Sequence, residues 1–149
     1  MASDKDPITC HVLDTSVGKP AKGIRVKLEG GHAPLKTFES LTDDDGRIKA
    51  WLPYSSAHAS GDVPTFSLDD VLSEVESQST WTLRFDTGSY FGEGKTFFPE
   101  VLVSFTVEKA IRLIAEAERL FRSDESQVML EDVIYMHNMK DDINSVSIG

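Results

Sequence analysis

The sequence predicts a mainly β fold in a single domain, on three observations. Residues 24–29 alternate apolar and charged without a break, as a strand with one buried and one wet face does. Residues 81–86 and 101–107 repeat the pattern with larger apolar side chains. Between such runs stand clusters of Gly, Pro, Asp and Ser, the residues that turn a chain.

The elements follow in order. Residues 1–6 are polar and are expected to be disordered. Residues 7–15, Pro-Ile-Thr-Cys-His-Val-Leu-Asp-Thr, read as the first strand. Ile8, Cys10 and Val12 point one way; Thr9, His11 and Leu13 point the other. On residues alone two readings of His11 stand: a base projecting from a rigid strand, or a polar residue on a wet face. Residues 14–21 turn the chain into the strand of Ile24, Val26 and Leu28, whose charges form its solvated face. Residues 30–34 are a hairpin loop in which His32 is exposed, and residues 35–41 are a weaker strand. Asp43-Asp44-Asp45-Gly46 is an acidic turn. It lacks the alternating ligands and distant Glu of a calcium loop, so it is read as solvated, with Gly46 at positive φ. Arg47 opens the next alternating run, 47–52, straight after that turn, where its guanidinium can be aimed at an anion.

Residues 53–61 are small and polar and carry His58. Then the period changes. Leu68, Val71, Leu72 and Val75 fall at helical spacing, with Ser67 as the cap, predicting a helix over 67–77. Residues 87–94 are a glycine-rich turn without the Lys-Ser/Thr ending of a phosphate loop. A long strand over 97–107 puts Val101, Val103, Phe105 and Val107 on one face. From residue 109 the composition turns helical: Ala110, Ile111, Ile114, Ala117 and Phe121 predict a helix over 109–121, and a second element covers Val128 to Ile134 before His137.

Composition narrows the function. A net charge of −10 argues against a nucleic-acid partner and against an anionic membrane surface. No apolar run approaches the ~20 residues that span a bilayer, and the first residues do not read as a secretion signal. One cysteine, Cys10, allows no internal disulfide and suits a reducing compartment, and the final Ser-Ile-Gly does not read as a peroxisomal address, so the cytoplasm is expected over the peroxisome. No ligand cluster suits a metal.

The segments PITCHVLDTSVGKPAKGIRVKLE, DDDGR, WTLRFDTGSYF and FFPEVLVSF, in that order, closely resemble the hydroxyisourate hydrolases of the transthyretin-like family. The resemblance runs over residues 7–108 and leaves 55–79 as an enlarged loop with an inserted helix. It implies a two-sheet β-sandwich that assembles as a homotetramer. It also implies hydrolysis of the ring amide of 5-hydroxyisourate in urate breakdown, without cofactor or metal. Carried onto this chain, the family's site residues are His11, as the base for water, and Arg47, as the stabiliser of anionic charge. The family's His-x-His-Val-Pro and Tyr-Arg-Gly-Ser segments have no counterpart here. The sandwich is therefore expected to lack its last two strands, leaving the first strand with an open edge, and residues 109–149 form a non-family helical tail. With a second histidine and a serine absent, turnover is expected to be weak; the alternative is a non-catalytic transthyretin-like binding or assembly protein.

Overall fold

The structure, a computed structural model, describes residues 5–54, 66–108, 130–136 and 146–148, the last two stretches as backbone only. The predicted 109–121 helix, His58 and His137 lie outside these residues. Among the described residues, ten strands form two five-stranded sheets. In the first sheet β1 (Ile8–Asp14) is central. On one edge it pairs with both β2 (Lys19–Pro20) and β5 (Arg47–Ile48). The second sheet runs β6 (Leu52–Pro53), β4 (Lys36–Leu41), β3 (Arg25–Gly30), β7 (Gln78–Phe85), β8 (Val101–Glu108).

Alternation places the core between the sheets. Ile8, Cys10, Val12 and Ile48 face it from the first sheet. Val26, Leu28, Phe38, Trp81, Leu83, Phe85 and Val103 face it from the second, while Arg25, Glu29 and Arg84 stay exposed. Fully burying each of these large side chains contributes roughly 1.5–3 kcal/mol, which is what holds the two sheets face to face. The predicted helix is α1 (Leu68–Glu74), ending three residues earlier than expected because Val75 is already extended. Ser67 caps it in a reciprocal capping box: Asp70 N–H donates to Ser67 Oγ at 3.1 Å, and Ser67 N–H to Asp70 Oδ2 at 2.8 Å. That hydrogen bonding holds the Asp70 carboxyl below its usual pKa. Leu68, Val71 and Leu72 bury their face in the core.

Four expectations change. The 47–52 run is not one strand but two. β5 belongs to the first sheet and β6 to the second, and the chain crosses between them at buried Trp51, whose Nε1 donates to Ile8 O at 2.8 Å. Asp6, within the segment 1–6 expected to be disordered, is tied into the fold: its N–H donates to Lys49 O at 2.7 Å, and its Oδ2 accepts from Trp51 N–H at 2.6 Å. Part of the glycine-rich turn is a short helix, α2 (Thr87–Phe91), capped by Asp86. Finally, the first sheet does not end with β1 at its edge. β9 (Leu130–Met136) lies parallel to β1 along all seven residues, and β10 (Val146–Ile148) pairs antiparallel with β9. A central strand such as β1 leaves a full row of N–H and C=O groups to satisfy, and a segment as rich in β-formers as 130–136 satisfies them. Two strands thus stand where the sequence reading expected a gap.

Candidate active site

β1 and β5 are antiparallel, with Cys10 opposite Ile48 and His11 opposite Arg47. Cys10 and Ile48 are buried in the core. The next residue on each strand points the other way, so His11 and Arg47 stand side by side on the outer face of the first sheet. Directly opposite residues of an antiparallel pair have Cβ atoms about 4.5–5.5 Å apart, within which an imidazole and a guanidinium address the same small molecule. Both are partly buried: dry enough to strengthen a charge interaction, open enough to admit a ligand. The sequence named both residues from different segments, and the ladder brings them together.

The turn before Arg47 is built around Asp43. Its Oδ1 accepts from Asp45 N–H and from Arg47 N–H, both at 2.9 Å, and its own N–H donates to Arg47 O at 2.9 Å. Gly46 takes φ +73°, as expected, and its carbonyl accepts from Val12 N–H at 2.8 Å. Any side chain at Gly46 would collide with β1, since a Cβ there falls 2.2 Å from Val12 O. Sequence reading took this acidic run for solvated surface, and Asp43, Asp44 (2.5 Å from Lys22) and Asp45 are all exposed, but it did not foresee the bonds Asp43 makes to the backbone. The available signal was an Asp four residues before an Arg, with a Gly between.

A second link ties the two most distinctive segments together. Buried Asp14, at the end of β1, accepts from Tyr90 OH at 2.8 Å, and from Ser16 N–H and Oγ at 3.0 and 2.5 Å. Burial first, then the Asp14 hydrogen bond and charge, push the Tyr90 phenol up to about 12.

Two hollows of about 240 and 290 Å³ lie elsewhere, lining the outer side of the second sheet and sharing Arg25 and Asp86. They hold neither His11 nor Arg47, and their carboxylates are engaged. Arg84 is spent on Glu100 at 2.8 Å, and Asp86 caps α2 through Ser89. His32 is exposed in its loop. Among the described residues no three His, Cys, Asp or Glu side chains converge as metal ligands, and no helix is long and apolar enough to cross a membrane.

Two five-stranded sheets packed face to face, with a histidine–arginine pair on the outer face of one, define a β-sandwich of the transthyretin type. The family profile described as HIUase/Transthyretin family matches residues 8–114, and the chain belongs to that family. Among relatives, it is 36% identical over 115 residues to a 5-hydroxyisourate hydrolase of Salmonella dublin, covering 73% of this chain and 69% of that protein. It is 32% identical over 115 residues to the mouse 5-hydroxyisourate hydrolase, covering 73% and 81%. Among solved structures, Klebsiella pneumoniae 5-hydroxyisourate hydrolase superposes with a TM-score of 0.53 at 17% identity, over 97% of both chains. Sea bream transthyretin in complex with thyroxine superposes at 0.51 and 15% identity, over 97% and 95%. At those identities the structural likeness speaks for the fold, and the sequence relatives carry the family.

Proposed function

We propose that this chain is a 5-hydroxyisourate hydrolase acting in urate breakdown, with His11 and Arg47 as its catalytic pair. The observation that carries the reading is the register of His11 against Arg47 on one sheet face. The relatives' names support the substrate. His11 takes a proton from water as the oxygen adds to the ring-amide carbonyl. Arg47 donates to the oxyanion that forms. Collapse breaks the C–N bond, and His11 returns the proton to the departing nitrogen, leaving a ureido-imidazoline carboxylate. Water is the only co-reactant consumed. A general base contributes about 10²–10⁴ in rate and an oxyanion donor about 10²–10³, so the pair alone suffices for measurable turnover.

A second reading has its own support. The family's histidine and serine segments are missing from the sequence after residue 108, which favours slow turnover or a non-catalytic binding or assembly role. Self-assembly, a homotetramer by family analogy, fits a site that is only partly buried in one chain, because a second copy over this face would exclude water. A single cysteine, Cys10, buried in the core, fits an intracellular, cytoplasmic setting.

Freshly generated 5-hydroxyisourate, followed by its ultraviolet absorbance, tests the proposal. Its decay should accelerate with the full chain, and His11→Ala and Arg47→Ala should each remove the gain. Decay at the buffer rate would leave the non-catalytic reading standing.

A further inference from the structure

We propose that Asp43 is the positioning residue of this site, pinning Arg47 in register opposite His11; the inference rests on the hydrolase reading above. β5 has only two residues, and its ladder with β1 has only two register pairs. So short a ladder does little to fix its own register. The penalty for error is large, because a slip of one residue turns Arg47 toward the core and Ile48 toward solvent. What holds the register lies just upstream. Four hydrogen bonds made by Asp43 close the loop of residues 43–47: its Oδ1 accepts from Asp45 N–H and Arg47 N–H, its N–H donates to Arg47 O, and its carbonyl accepts from Gly46 N–H, each at 2.9 Å.

The closed loop is then fastened to β1 one residue from His11, through Val12 N–H to Gly46 O at 2.8 Å. Turn and strand are in such close contact at Gly46 that the loop has little room to shift along β1. The three carboxylates of the run therefore differ in role. Asp44 forms a solvent-exposed pair with Lys22, whereas the Asp43 side chain bonds inward to the backbone of Arg47 itself. Because the bonds go to backbone N–H groups, the requirement is for an acceptor oxygen in place, not for negative charge.

The test measures kcat and KM for 5-hydroxyisourate with the full chain, alongside the unfolding midpoint. A displacement of 1 Å in a catalytic group costs about 10² in rate, so Asp43→Ala should lower kcat by about that factor while KM changes little. Asp43→Asn keeps an acceptor oxygen and should restore kcat to near the native value. A purely structural role would instead lower the unfolding midpoint of Asp43→Ala and leave its kcat per folded molecule unchanged. Asp43→Ser, with a shorter acceptor, should fall between the two, and it decides the matter if the alanine variant does not fold. Native kcat in Asp43→Ala, or an Asn variant as impaired as the Ala variant, would overturn the assignment to Asp43 alone. Failure of the unmodified chain to accelerate decay would overturn the hydrolase reading, and this inference with it.

Discussion

Replacing Tyr90 with Phe removes one oxygen and keeps the ring, which isolates the bond between the end of β1 and α2. Asp14, 4% exposed, has three donors, and Tyr90 OH at 2.8 Å is the one that arrives from a distant part of the chain. A hydrogen bond to a charged group contributes about 1.5–3 kcal/mol. Ser16 still supplies two donors in the variant, so the carboxylate is not stranded and the loss stays within that range. For a chain of this size the unfolding midpoint should fall by roughly 3–12 °C, read by calorimetry at pH 7. The pH dependence gives a second reading. The phenol's folded pKa of about 12 lies above the ordinary tyrosine value of 10.0. The folded state therefore holds that proton more tightly. The resulting stability is complete below pH 10, and is lost as pH rises toward 12. The native chain should lose stability across that window more steeply than Tyr90→Phe. A variant within about 0.5 kcal/mol of native, with the same alkaline slope, would mean the bond contributes nothing and the argument from Asp14 burial is wrong.

Three further predictions follow from the packing. Thr42 is buried, and its Oγ1 accepts from Ile24 N–H at 2.9 Å while donating to Ala21 O at 2.6 Å, so Thr42→Val should cost about 2–4 kcal/mol in urea unfolding by stranding a donor and an acceptor. Burial raises the Asp6 carboxyl above the ordinary aspartate value of 3.8 against the opposing effect of the Trp51 N–H bond. Its stabilising contribution is thus present below that value and lost as pH rises through the raised one. Asp6→Asn, which keeps an acceptor, should unfold no lower than native at pH 7, and a clearly lower midpoint there would contradict this. A Cβ at Gly30 would fall 2.5 Å from both Thr80 O and Trp81 Cδ2, so Gly30→Ala should destabilise by about 1–3 kcal/mol, with a shift in the fluorescence of buried Trp81.

Much of this molecule was decided by local pattern. The side-chain period of 2 sorted Ile8, Cys10 and Val12 from His11, and Trp81, Leu83 and Phe85 from Arg84, because a strand offers only two faces. Ser67 and the spacing of Leu68, Val71 and Leu72 specified α1 for an equally local reason, since a cap and an apolar stripe lie within one or two turns. His11 and Arg47 were both named from sequence as the residues that would carry the chemistry. Their adjacency could not be named that way. It depends on β5 leaving the run that continues into β6 and joining β1, 36 residues upstream, through two register pairs. The bond from Tyr90 to Asp14 and the strand β9 alongside β1 are equally non-local. A sequence states which face each residue prefers. Which strand lies beside which is settled by hydrogen bonding and burial over the whole sandwich, and only there do His11 and Arg47 come to stand opposite each other.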